Sequence, residues 1–154
     1  MQAFWPGPLT VILPRREEIA AAAAGGQNSI GLRCPSHPMA LAFLKACLKL
    51  GISGVAGPSA NRFGRVSPTT AQHVIQEFGD ELLVLDGGPC AVGIESSIVD
   101  CAQGRPVLLR PGVMTRARSW WRRAASRCLI LMSCWSRAVR CATRFRHAGV
   151  ALRA

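Results

Sequence analysis

The sequence predicts an α/β protein built on a twisted, mixed, open sheet with flanking helices. Two observations predict it. Short β-branched apolar runs alternate with segments of helical period along the first 112 residues, and Gly or Pro punctuates nearly every junction. Charge in that stretch is also balanced, nine Lys and Arg against eight Asp and Glu, as suits a globular domain able to bury a core.

Each element follows from local chemistry. Phe4-Trp5-Pro6-Gly7-Pro8 is a turn leading into Leu9–Leu13, an apolar β-branched run that reads as a buried strand. A strand this near the initiator Met, with no earlier element beside it, leads us to expect a sheet incomplete at its N-terminus. Glu17 to Ala24 has acidic residues in its first turn and Gly25-Gly26 after its last, which predicts a short helix. Ser29–Arg33 alternates and predicts a second strand. Pro38 to Leu50 places Ala40, Phe43, Leu44, Cys47 and Leu48 on one face, with Pro at its start and Gly51 at its end, and predicts an amphipathic helix.

Ile52 to Ala56 reads as a strand entering the loop Gly57 to Thr69, GPSANRFGRVSPT. Ser67-Pro68-Thr69 is a helix start with Val74, Ile75 and Phe78 as its apolar stripe and Gly79 as its stop. Leu82 to Leu85 reads as a strand before the glycine-rich loop that begins Asp86-Gly87-Gly88. Ser97 to Asp100 and Val107 to Arg110 read as strands joined by the turn Ala102-Gln103-Gly104.

The character changes after Gly112. Residues 113–154 hold ten Arg, no Lys, no acidic residue and three of the four Trp, so they supply nearly all of the formal charge of +11. The domain organisation expected is therefore 1–116 as a partial domain and 117–154 as an Arg-rich tail. Two readings of that tail stand: a basic, Trp-bearing nucleic-acid segment, or an out-of-frame, disordered extension. No apolar run is long enough for a membrane span and no signal peptide is present, so the expected location is cytoplasmic. The seven cysteines lack CxxC spacing, which points to reduced thiols rather than a metal site or disulfide framework. His37 and His73 read as helix-start and helix-surface residues.

Candidate site chemistry gathers at three places. The loop after Ala56 carries Ser59 and Asn61, short polar groups between a strand and a helix, where α/β proteins hold ligands. Alone they are equally explained by turn chemistry. Arg33 ends a strand, where its fork fits a carboxylate or phosphate, or where it is a surface cation. The loop Asp86 to Ser97 is polar and glycine-rich, with hydroxyls at its exit. Neither a Ser-His-Asp nor a Cys-His pattern is visible, so no catalytic nucleophile is assigned.

In this order and spacing, the runs FWPGPLT, SIGLRCPSHP, GPSANRFGRVSPT, LDGGPCAVGIESSIVD and LLRPG closely resemble the YrdC-like threonylcarbamoyl-adenylate synthases over residues 4 to about 113. The resemblance implies a nucleotidyltransferase that joins L-threonine, bicarbonate and ATP into threonylcarbamoyl-AMP and pyrophosphate, for the threonylcarbamoyladenosine modification of tRNA. It implies that Arg33, Ser59 and Ser96 contact threonine and that Ser29, Asn61, Thr69 and Arg110 contact ATP. Arg33 would hold the amino-acid carboxylate and Arg110 would neutralise phosphate. Ser97 stands where the family commonly has threonine, and the hydroxyl is kept.

Magnesium is expected with the nucleotide rather than in a protein cage, so no metal ligands are assigned. Implied partners are tRNA or double-stranded RNA and tRNA-modification proteins; a double-stranded RNA-binding module and an inactive gene fragment are the alternative functions. Family members begin upstream of FWPGPLT with a threonine-rich segment and a Lys-x-Arg phosphate loop, neither of which is in this sequence. The resulting expectation is an N-terminally truncated chain with little or no synthase activity alone.

Overall fold

A computed structural model describes residues 4–114. They fall into two compact units, residues 4–36 with 94–114, and residues 37–93.

The first unit is a four-stranded mixed sheet. Its strands are β1 (Leu9–Pro14), β2 (Ser29–Arg33), β3 (Ser97–Asp100) and β4 (Val107–Arg110), in the spatial order β2-β1-β3-β4. β1 pairs antiparallel with β2 and parallel with β3, while β3 and β4 form an antiparallel pair with an irregularity between Ile98 and Val99. Alternation along β1 buries Leu9 and Val11, which join Val99 in the core, with Phe4, Trp5, Leu13, Cys101, Leu108 and Met114 packed around them. The Trp5 indole donates to the Leu9 carbonyl at 2.8 Å, anchoring the entry turn to the strand it feeds. Between β3 and β4 the Asp100 carboxylate accepts from the Ala102 amide at 2.8 Å, the Asx bond that turns the chain.

The second unit carries the helices α1 (Pro38–Lys49) and α2 (Ala71–Phe78) and a single 3-10 turn, Gly79–Glu81. Pro occupies the first turn of α1, and after its end Gly51 takes a positive φ of 80°. α2 starts later than Ser67-Pro68-Thr69 suggested. Thr70 is its N-cap, accepting from the His73 amide, and the three residues before it stay non-helical.

Three expected elements are replaced. Glu17 to Ala24 is a series of turns rather than a helix. Arg15 explains much of this: its guanidinium donates to the carbonyls of Arg16, Glu17, Ile19 and Gln27 at 2.7–2.9 Å, capturing acceptors that a helix would use. Ala20 is left-handed at φ 52°, which interrupts helical propagation. In Ile52 to Ala56 only Ala56 forms a bridge, and Leu82 to Leu85 pairs with nothing as a strand. Both runs have strand composition, but pairing needs a partner in register, which composition does not supply. The fold class itself holds: a mixed open sheet accompanied by two helices. Residues 115–154 lie outside the described residues, and the Arg-rich tail with them.

Candidate functional site

In the first unit the strand register sets four residues in one row across the sheet. Arg33 on β2 lies opposite Thr10 on β1, Thr10 opposite Ile98 on β3, and Ile98 opposite Arg110 on β4. Residues directly opposite one another present to the same face. Leu9, Val11 and Val99 take the other, apolar face by alternation. One side of the sheet is therefore a core and the other carries an arginine on each outer strand.

Ser96, just before β3, joins that row. Its hydroxyl lies 3.1 Å from the Thr10 hydroxyl and 3.2 Å from Arg110 Nη2, while its carbonyl accepts from Arg110 Nε at 3.0 Å. Arg110 Nη1 donates to the Glu95 carboxylate, an ion pair whose two side chains remain 39% and 48% exposed. Arg110 thus spends donors on three separate acceptors of one short segment, which fixes the plane of its guanidinium.

Arg33 is held from behind. Its Nε donates to the Gly7 carbonyl at 3.3 Å, and the Gly7 amide donates to the Cys34 carbonyl at 2.9 Å. Loss of water around the guanidinium, and next the like charge of Arg110, hold the Arg33 pKa below the ordinary arginine value. Two guanidinium groups that feel one another across a hydroxyl-bearing row have the chemistry to receive an anionic oxygen.

One glycine allows this packing. At Gly112 a Cβ would lie 2.6 Å from the Ser97 amide nitrogen and 2.8 Å from the Ser96 carbonyl carbon, so only glycine lets the segment after β4 lie against the segment that Arg110 grips. Ser97, fully buried, donates its hydroxyl to the Met114 carbonyl at 3.3 Å and closes the same contact one residue pair further on. Gly31 lies between Ser29 and Arg33 on the same face of β2, beside Thr10, where a Cβ would make only ordinary contact at 3.4 Å. Ser29 sits at the far end of β2 from Arg33, opposite Pro14.

The other expected residues lie in the second unit. Ser59 is exposed on its loop. Asn61 donates through Nδ2 to the carbonyls of Arg62 and Arg65 at 3.1 and 3.0 Å, fastening the turn around Gly64, whose φ is 79°. Its Oδ1 is buried and meets no donor among the described residues, an uncompensated acceptor that a ligand N–H would satisfy. Thr69 accepts at its carbonyl from the Cys90 amide at 2.8 Å and places its hydroxyl 3.4 Å from His73 Nδ1. The Gly88 amide donates to the Asp86 carboxylate at 2.8 Å, so the glycine-rich loop opens on an Asx turn.

The structure therefore brings Arg33, Ser96 and Arg110 to one face of the sheet, with Ser29 along it, and sets Ser59, Asn61 and Thr69 in the second unit. Sequence reasoning missed Thr10, which belongs to the row only through strand register. It also left Glu95 without a specific partner; the adjacency of an acid to the Ser96-Ser97 pair was its only signal. Among the described residues no group of three or more His, Cys, Asp or Glu is placed to hold a metal ion, and no helix is long and apolar enough to cross a membrane.

The Sua5_yciO_yrdC family model, described as telomere recombination, matches residues 1–112. A threonylcarbamoyl-AMP synthase of Pyrococcus abyssi is 41% identical over 110 residues, which is 71% of this chain and 31% of that protein. A threonylcarbamoyl-AMP synthase of Bacillus subtilis is 41% identical over 118 residues, 75% of this chain and 33% of its own length. This chain thus spans about a third of these relatives. Among solved structures, P. abyssi Sua5 complexed with L-threonine is similar at a TM-score of 0.63 and 39% identity, covering 72% of this chain and 32% of that one. E. coli YciO shares the fold at a TM-score of 0.55 and 22% identity, covering 71% of this chain and 52% of its own.

Proposed function

This chain belongs to the Sua5/YciO/YrdC family, and from that premise we propose that it serves the synthesis of threonylcarbamoyl-AMP from L-threonine, bicarbonate and ATP. The observation that carries the reading is the row Arg33-Thr10-Ile98-Arg110 with Ser96 hydrogen-bonded into it. In this reading Arg33 holds the threonine carboxylate, with Ser96 and Ser59 as hydroxyl contacts. Arg110 faces phosphate oxygen, and Ser29, Asn61 and Thr69 contact the nucleotide, the buried Asn61 Oδ1 taking an N–H of the ligand.

The reaction asks for alignment more than for a reactive side chain. The threonine nitrogen adds to bicarbonate with loss of water to give a carbamate. A carbamate oxygen then attacks the α-phosphorus, and the bond to the β-phosphate bridge breaks to release pyrophosphate. Two anions must be brought together and the developing charge spread, which fixed guanidinium groups do without forming a covalent intermediate. Mg2+, when bound with ATP, would screen its phosphates and would be held by the nucleotide rather than by a protein cage. The product would feed the threonylcarbamoyladenosine modification of tRNA, with tRNA-modification proteins as partners and the cytoplasm as location.

Calorimetric titration with L-threonine and with ATP, alongside chromatographic detection of threonylcarbamoyl-AMP, tests this. The expected outcome is saturable threonine binding that Arg33→Ala removes and ATP binding that Arg110→Ala weakens. A chain that is folded by circular dichroism yet binds neither ligand would overturn the proposal.

A further inference from the structure

Arg110 has five N–H donors, and the structure engages all three of its nitrogens with the two consecutive residues Glu95 and Ser96. Nε goes to the Ser96 carbonyl, Nη2 to the Ser96 hydroxyl and Nη1 to the Glu95 carboxylate. The first two acceptors are neutral and lie along one edge of the fork, so they orient it without consuming its charge. Glu95 is different. It is an anion on the Nη1 side, which any ligand binding end-on to the two terminal nitrogens must use. Its backbone is pinned by the close approach of Gly112, so the carboxylate is offered from a fixed origin. The pair is about half exposed, which makes the bond exchangeable rather than a buried, permanent bridge.

We propose that Glu95 is a specificity-determining residue that competes with anionic ligands for Arg110. With Glu95 in place, the Arg33, Arg110 and Glu95 group carries one net positive charge, and an incoming anion reaches the terminal nitrogens of Arg110 by displacing the carboxylate. A polyphosphate, with several anionic oxygens on adjacent phosphorus atoms, meets that requirement better than a single carboxylate. Glu95 thereby keeps Arg110 for the polyphosphate and leaves Arg33 as the better carboxylate receptor. This rests on Arg110 being the phosphate-facing cation of the proposed site.

The test reads Arg110 directly. Modification of arginine by phenylglyoxal is followed at the Arg110 peptide by mass spectrometry in the whole chain, in Glu95→Gln and in Glu95→Asp, with inorganic pyrophosphate, ATP or acetate as the protecting anion. In Glu95→Gln the pyrophosphate concentration giving half-protection is expected to fall roughly two- to fivefold, the scale of one exposed ion pair, and acetate is expected to begin to protect. Glu95→Asp, which keeps the competing charge, is expected to stay near the parent chain. An unchanged or higher half-protecting concentration in Glu95→Gln would overturn the proposal, as would pyrophosphate failing to protect Arg110 in all three proteins. If pyrophosphate shows the expected pattern while ATP protects in none, the competition stands and the nucleotide reading falls. If ATP protects the parent chain and Glu95→Gln equally, the nucleotide reading stands and the competition falls.

Discussion

At Arg33 two demands oppose one another. Loss of solvent and the Arg110 charge lower its pKa, so the charged form is less favoured in the folded chain than in the unfolded one. For a base with a depressed folded pKa, that cost is present at every pH below the folded value. It is relieved only as pH rises through that value toward the ordinary one, above the physiological range. Arg33 is thus a cation kept at some expense to stability. Arg33→Met retains the aliphatic stem and removes the charge. Its urea midpoint is expected to match or exceed that of the parent chain, although the Nε bond to Gly7 is lost. Threonine affinity is expected to fall by about tenfold or more, from the loss of a charge-assisted contact of roughly 1.5–3 kcal/mol. Equilibrium denaturation and calorimetry on the same preparation check both halves, and a large fall in the midpoint would make Arg33 structural.

Among the elements, the clearest dependence is of the Arg110 grip on Gly112. Gly112→Ala places a methyl group against backbone atoms of Ser96 and Ser97, at the start of a paired strand, and such backbone cannot step aside as a side chain can. A loss of roughly 1–3 kcal/mol is expected in urea denaturation, the range of small overpacking changes. ATP affinity should fall with it, because the three Arg110 bonds depend on where that segment lies. Thr70→Ala is the contrasting case: removal of the cap on α2 should cost about 1 kcal/mol by the same measurement. Threonine binding, assigned chiefly to the first unit, should be little altered.

The same scale shows what the sequence made legible. β1, β4 and α1 are readable because each joins an apolar run to Pro or Gly at its ends, and β2 and β3 because short apolar runs stand close to turn residues, signals that agree in each case. Glu17 to Ala24 failed because one side chain, Arg15, outcompeted the helix for its carbonyls, and alanine-rich composition carries no trace of that. Leu82 to Leu85 failed because a strand is a relation between two segments. Its residues read as strand, yet Leu83 stands almost wholly exposed and unpaired. The site divides likewise. Arg33, Ser96 and Arg110 were named from motif resemblance, and their common face follows from register. Thr10, and the pairing of Glu95 with Arg110, could be found only after the strands were aligned, although Glu95 itself is visible in the sequence as an acid beside the Ser96-Ser97 pair.

For the whole molecule the decisive quantity is where the charge lies. The formal charge of +11 invites a nucleic-acid reading, but residues 1–112 carry nine basic and eight acidic side chains, a net of +1, and residues 113–154 carry ten Arg and no acid, the other +10. Affinity for RNA through counterion release scales with the number of phosphates neutralised, and a domain of net +1 has little to spend on it. The paired arginines of the sheet are a different kind of cation. Arg110 is held by Glu95 and Ser96 and Arg33 by the Gly7 carbonyl, and in the proposed function the two receive one small anion rather than a polymer backbone. Comparison of the full chain with a version ending at Arg116 should separate the two. Binding of a fluorescent RNA duplex to the full chain should weaken steeply with added salt and be largely lost on truncation. Threonine affinity should stay within about twofold, since the site residues all precede the cut. RNA binding that survives truncation with its salt slope intact would move the nucleic-acid surface onto the sheet-bearing portion, and the row of Arg33 and Arg110 would then need to be read as part of it.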